Sequence, residues 1–367
     1  MKDGQRFAYL DLIKIVAMMC VCLYHYPLIW QTAYARPFTA DVLVLRYFRV
    51  FDAICVPLFM MVNGALILNR PFQLKKHIVR CVTLLVGVYV WYIVTMVLGH
   101  AWKNGVAFVI ENWSGILHSA QYLYEYGGIS TSHLWFIHML VAVYLLVPML
   151  RAGIDSKDVQ IQNGTVFFLG AMGVFAFLLQ DISHVRAAVP VLRSLDLTGL
   201  DTVNPFRGMY GAMVVYFVLG GLLHRAHEKI LRVPMWFCTA RVLGGSLALF
   251  AEWYLVTIRQ ESMYDIVFGG YNCLPTLLMA TGTFIGMAKL EDRLHLGSGR
   301  LGGVISLIGR NTLAIYYLHW IVGMTVLSLV EVQGSFVVNL IKAAAMVLSC
   351  ALLGEGIRRI PLLRRLV

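Results

Sequence analysis

The chain has 367 residues, of which 59% are apolar or aromatic and only 13% are Asp, Glu, Lys or Arg, against about 25% charged in soluble domains. That composition excludes a soluble globular enzyme and predicts an all-α integral membrane protein. The formal net charge of +11 is spread over short connecting segments rather than gathered on one face, which argues against a nucleic-acid partner.

Crossing about 30 Å of hydrocarbon takes about 20 apolar residues in a helix. Runs near that length lie at 9–30, 46–69, 77–99, 133–150, 163–181, 208–224, 235–257, 268–289, 304–329 and 334–357, so about ten transmembrane helices are expected. The first run is longer than a signal-peptide core and has no small-residue cleavage site, so it reads as a retained helix. The longest connections are 100–132 and 182–207, and the first contains AFVIENWSGILHSAQYLY, whose spacing predicts an amphipathic helix at the interface. No internal repeat and no stretch long enough for a soluble domain interrupts the pattern, so residues 1–367 are expected to form one membrane domain.

Lys and Arg orient the helices, because positive segments are retained on the cytoplasmic side. With the N-terminus inside, 20 basic residues fall in inner segments and only eight in outer ones, Arg46 and Arg49 among the latter. Both termini are therefore expected to be cytoplasmic. All seven cysteines lie within or at the ends of apolar runs without metal-like spacing; they read as small core residues, and no metal is expected.

The first run, YLDLIKIVAMMCVCLYHYPLIW, holds Asp11, Lys14 and His25. An ionised group at the bilayer centre costs about 2.5–3.5 kcal/mol on insertion scales and faces the bundle interior or a wet cavity. At 100° per residue, Lys14 and His25 stand about 20° apart and Asp11 and His25 about 40°, so all three share one face. Asp11 and Lys14 are spaced to neutralise one another. His25, about 16 Å of helix rise beyond Lys14, is a side chain suited to proton exchange near neutral pH, as a general base or in a proton relay. The bland alternative is that such groups only stitch helices together.

LDLIKIVAMMCVCLYHY resembles the first helix of the acyltransferase 3 membrane family, in which an Asp, a basic residue and, after ten intervening positions, a His are characteristic. VPLFMMVNGALIL is similar to the family's second-helix pattern, HLWFIHMLVAVYLLVPML to its H-L-W-F segment, and IGRNTLAIYYLHWIV to the late segment ending in Y-x-x-H. Lys14 stands where the family usually has Arg, and Asn63 where Ser usually precedes Gly. The resemblance implies a ten-helix bacterial inner-membrane protein; many relatives carry an appended soluble domain, and none is expected here. It also implies transfer of an acyl group from cytoplasmic acyl-CoA, acetyl-CoA foremost, to a hydroxyl of a surface glycan or its lipid-linked precursor.

On that footing His25 is the expected base, with Asp11 and Lys14 completing the catalytic stripe. Lys14, Arg70, Lys75, Lys76 and Arg80 are the expected phosphate contacts, although positive-inside retention alone would place such residues there. His133, Trp135, Arg207, His319 and Asn63 are candidates for substrate contact, set against interfacial anchoring for Trp135 and Arg207 and core hydrogen bonding for His319. Ser262, Tyr264 and Asp265 are polar enough to touch a sugar, or make an ordinary turn. The competing function is a proton-coupled secondary transporter using His25 and Asp11 as relay, with helix breaks at Pro27, Pro57, Pro148 and Pro275.

Overall fold

The computed structural model describes residues 6–25, 40–120, 125–186, 188–192, 194–260, 265–325, 336–361 and 363–367. These residues are overwhelmingly helical, with one two-residue hairpin. In chain order the helices are α1 (Ala8–His25), α2 (Ala40–Arg49), α3 (Cys55–Leu68), α4 (Leu74–Asn104), α5 (Val106–Glu111), α6 (Trp113–Ser119), α7 (Trp135–Ile154), α8 (Val159–Arg186), α9 (Thr198–Thr202), α10 (Gly208–Arg225), α11 (His227–Ile230), α12 (Met235–Gln260), α13 (Leu274–Leu294), α14 (Gly299–Arg310), α15 (Thr312–Thr325) and α16 (Phe336–Ile357). A 3₁₀ turn over Val50–Ile54 joins α2 to α3.

Among the described residues, six segments are long and apolar enough to cross a membrane, namely Ala8–His25, Leu43–Leu68, Leu74–Asn104, Ser132–Ile154, Val159–Arg186 and Phe336–Ile357. Helices α10, α12, α13 and the α14–α15 pair occupy the other four apolar runs. The chain is a multi-pass helical membrane protein, as only helices and closed barrels satisfy the backbone in hydrocarbon.

Two compact units are distinguished, Met1–Arg70 with Leu146–Ser306 and Pro71–Leu145 with Leu307–Val367. In the first, α3 and α10 make the most intimate pairing, and α1 packs on α3, on α13 and on the 3₁₀ turn. Glycine permits the close crossing. A methyl placed on Gly64 would collide with the Phe217 carbonyl, and one on Gly220 with the Met61 carbonyl, the small-residue contact by which membrane helices gain van der Waals packing. The buried side of α1 carries Leu10, Asp11, Ile13, Ala17 and Met18, one charged group among apolar ones.

In the second unit α4 packs on α15, where Trp91 stacks on Tyr317 with ring centroids 5.4 Å apart, and α15 packs on α16. The expected amphipathic segment is two short helices, α5 and α6, broken at Asn112. Val106, Ile110, Trp113 and Leu117 are exposed while Val109 and Ile116 are buried, a stripe suited to lying in the interface. Beyond it, Glu125–Tyr126 pairs antiparallel with Ile129–Ser130. Gly127 and Gly128 turn this hairpin with φ of +55° and +78°, as a two-residue turn with both central φ positive requires.

Because Gly64 meets backbone rather than a movable side chain, Gly64→Val should cost at least about 3 kcal/mol and lower the melting temperature in detergent sharply. Gly170→Ala in α8, where nothing lies within 4 Å of the added methyl, should leave it unchanged or raise it.

Candidate active site

The first turn of α1 is built around Asp11, whose residue is 3% exposed. Its Oδ2 accepts from Arg6 Nε at 2.6 Å and its Oδ1 from Lys14 Nζ at 3.0 Å. The expected Asp11–Lys14 pair is present, and Arg6, which sequence reading placed only among the inner positive charges, is a second partner. Arg6 also donates Nη2 to the Ser306 carbonyl at 2.7 Å, tying the helix start to α14. A carboxylate in a first turn lies at the positive end of the helix dipole, so three sources of positive potential converge on it.

His25 is the last residue of α1 and half-buried. Since α1 is continuous, it stands about 16 Å along the axis from Lys14 on nearly the same face. Its ring lies edge-on to Tyr24, centroids 4.8 Å apart. Tyr24 gathers the groups around this end. Its hydroxyl donates to Asp265 Oδ2 at 2.7 Å, its carbonyl accepts from Arg49 Nη2 at 3.5 Å, and the Arg49 guanidinium lies 4.9 Å from its ring centroid. Asp265 Oδ1 accepts the Val267 and Phe268 N–H groups at 3.0 and 3.3 Å, so this carboxylate both shapes its own turn and holds Tyr24. Asp52, one turn beyond Arg49, is also buried.

Arg46 and Arg49, counted among the positive charges of the outer segments, are buried. Both lie in helix α2, are 4% and 3% exposed, and cover aromatic rings, Arg46 lying 4.5 Å from the centroid of Trp253. Deeper in the same unit, Cys55 Sγ meets Tyr271 Oη at 3.4 Å, and Tyr216 donates its hydroxyl to the Tyr271 carbonyl at 3.0 Å. The segment 265–273 is thereby fastened to α1 at Asp265 and to α3 and α10 at Tyr271.

The remaining candidates are distributed. Asn63 in α3 donates Nδ2 to the Phe59 carbonyl at 2.8 Å. Arg70 is exposed after the end of α3. Arg207 is exposed at the N-cap of α10, with Asp201 at 3.7 Å, a surface pair worth little. In the second unit Lys75, Lys76 and Arg80 are exposed on the first turns of α4, while the neighbouring His77 is buried, its Nε2 2.8 Å from the Tyr144 carbonyl.

His133 and His319, far apart in sequence, meet in that unit. Their rings stand edge to face with centroids 5.3 Å apart, His133 stacks on Trp320, and the Tyr316 hydroxyl donates to the His133 carbonyl. His319 Nδ1 lies 2.6 Å from the Tyr316 carbonyl, a contact that puts the proton on Nδ1 and makes Nε2 the basic nitrogen. Trp135 opens α7 half-buried, edge-on to Phe136. Ser262, Tyr264 and Pro27 lie outside the described residues.

A family model described as an acyltransferase domain matches residues 7–355, which takes in α1 with its Asp11, Lys14 and His25 and nearly all that follows. The chain belongs to the acyltransferase 3 family. No curated protein and no solved structure matches it. It is a membrane acyltransferase, and what its geometry offers such an enzyme is a fixed charge clasp at one end of α1 and, at the other, an imidazole against Tyr24, which in turn holds Arg49 and Asp265.

Asp11→Asn removes the counter-charge of Lys14, whose side chain is only 19% exposed, and should cost about 2 kcal/mol, below the full penalty for breaking a buried pair. Arg6→Ala should cost less, because that side chain is 44% exposed and already screened by solvent. Melting curves of the two variants in the same detergent check the order.

Proposed function

We propose that this acyltransferase moves a short acyl group, acetyl foremost, from acyl-CoA on the cytoplasmic side to a hydroxyl of a cell-surface glycan or its lipid-linked precursor, with His25 as general base. The observation that carries the reading is the single unbroken α1, charged at its start and bearing His25 on the same face at its end. In this scheme neutral His25 takes the proton of the acceptor hydroxyl as the oxygen attacks the thioester carbonyl. Arg49, against the Tyr24 carbonyl one residue away, stands where positive charge would favour the developing oxyanion. Collapse expels CoA as thiolate, and the imidazolium returns its proton to the sulfur. An acyl-histidine route would use the same residue as nucleophile.

For the donor's phosphates the reading assigns Lys14, Arg70, Lys75, Lys76 and Arg80. Lys75 and Lys76 sit in the first turn of α4, whose N-cap Gln73 makes no side-chain cap. Cations there oppose the helix dipole, whereas a phosphate would be favoured by both the lysines and the open N–H groups. For the acceptor it assigns His133, Trp135, Arg207, His319 and Asn63, joined by Asp265.

The same reading takes residues 1–367 as one domain with ten crossings, both termini cytoplasmic, in a bacterial inner membrane, in contact with lipid. The proton-coupled transporter is disfavoured. Pro148 lies within an unbroken α7, Pro275 is in the first turn of α13, and Pro57 in that of α3. The half-helices that transport would use do not arise at these prolines.

Incubating the purified protein with radiolabelled acetyl-CoA and candidate glycans should give acceptor-dependent transfer that falls at least about 100-fold in His25→Ala, the usual scale of general-base catalysis. Equal rates in the variant would remove His25 from the chemistry. Separately, acetyl-CoA should raise the melting temperature more than its 3′-dephospho analogue, since a ligand that binds only the folded state stabilises it. Lys75→Glu with Lys76→Glu should erase that difference.

A further inference from the structure

Three side chains remote in sequence converge in the first unit where the ends of α8 and α12 meet the start of α13. They are His184, Glu252 and Cys273, and one ligand atom from each lies within 4.8 Å of the other two. We propose that they form a binding site for a divalent transition-metal ion of zinc type, ligated by His184 Nδ1, Glu252 Oε1 and Cys273 Sγ. The site lies apart from the residues assigned to acyl transfer and does not depend on that reading.

Distances and chemistry both point this way. Cys273 Sγ lies 3.6 Å from His184 Nδ1 and 3.7 Å from Glu252 Oε1. Around a tetrahedral zinc with Zn–S of about 2.3 Å and Zn–N or Zn–O of about 2.0–2.1 Å, sulfur and its neighbouring ligands stand about 3.5 Å apart. Two edges of the tetrahedron are thus already set. The third, between His184 and Glu252, is closed by a hydrogen bond, and the metal takes the place of its proton. Glu252 is 6% exposed and Cys273 fully buried, and one nitrogen, one sulfur and one oxygen make a donor set that zinc accepts.

The surroundings supply what a metal-bound histidine needs. Gln180 meets His184 Nε2 at 2.5 Å and is itself held by Asn272 at 3.0 Å. The orientation of the two amides is an assignment; with both reversed, Gln180 Oε1 accepts the Nε2–H of a ligated imidazole, the partner that fixes ring and tautomer in metal sites. On binding, neutral His184 passes from the Nδ1–H to the Nε2–H form, and Cys273 releases one proton. A divalent ion with one thiolate and one carboxylate is net neutral, the state that a low-dielectric interior favours. Asp181 accepts the Leu274 N–H at 3.1 and 3.3 Å and so holds the start of α13, while the fourth position falls to a water, which leaves that neutrality unchanged.

The consequence is positional. Cys273 ends the segment whose Asp265 holds Tyr24 and whose Tyr271 meets Cys55. A metal there would pin that segment to α8 and α12 and so steady the groups around the end of α1.

The test is titration of the full-length, metal-stripped protein with Co²⁺. One equivalent should produce tetrahedral d–d bands with a thiolate-to-cobalt charge-transfer band, and Zn²⁺ should abolish both. Cys273→Ser should lose the charge-transfer band, while Gln180→Ala should keep it with about 10- to 100-fold weaker binding. Absence of a one-equivalent spectrum in the wild type, or an undiminished charge-transfer band in Cys273→Ser, overturns the site. A measurement needing no variant is X-ray absorption of the Zn²⁺-loaded wild type. One sulfur at about 2.3 Å with nitrogen and oxygen ligands at about 2.0–2.1 Å supports the site; a shell without sulfur, or with several, overturns it.

Discussion

A carboxylate buried in the first turn of a membrane helix must be neutralised where it stands, and Asp11 is neutralised twice. Arg6 takes one oxygen and Lys14 the other, and the helix's own dipole adds to both. Separating these charges in a medium of low dielectric would leave at least one of them uncompensated. The start of α1 is therefore fixed by ionic contacts that cannot shift by a residue without breaking. Because the helix is continuous from Ala8 to His25, fixing its start also fixes the direction in which the imidazole points at its far end.

The far end is organised differently. Its cations, Arg46 and Arg49, are covered by the rings of Trp253 and Tyr24, an arrangement that suits the weakly hydrated, planar guanidinium better than an ammonium. Tyr24 connects the parts, touching Arg49 through its ring and carbonyl and Asp265 through its hydroxyl. The contrast fits a division of labour in which one end of the helix secures register and the other keeps polar groups within reach of a reacting hydroxyl. Glycine packing of α3 on α10 supplies the rigid support on which α1 lies.

Much of this was legible in the sequence, for identifiable reasons. Apolar length placed a helix in each predicted run because backbone groups in hydrocarbon leave few alternatives. The Asp11–Lys14 pair followed from three-residue spacing on one helix, and family membership followed from ordered motifs that the domain match over 7–355 bears out. What the sequence hid were contacts between helices. Arg46 and Arg49 open the apolar run 46–69 and count among the outer positive charges, yet the sequence does not show that both are buried against aromatic rings. Tyr24 looks like one more aromatic residue until Asp265, 241 residues later, meets its hydroxyl. His184, Glu252 and Cys273 have no common spacing because they come from two helices and the cap of a third, so counting cysteines could not find them. The Gly127–Gly128 hairpin was the exception, since a Gly-Gly pair marks such a turn locally, but its strands are too short to stand out against the apolar runs around them.

The most direct test is the sidedness of transfer in sealed vesicles of known protein orientation, with the acceptor inside or out and acetyl-CoA supplied to one face at a time. The account predicts transfer only when acetyl-CoA is on the face bearing the Asp11 end of α1, and none from either face in His25→Ala. Equal transfer with the donor on the opposite face, or wild-type transfer without the His25 imidazole, would contradict it.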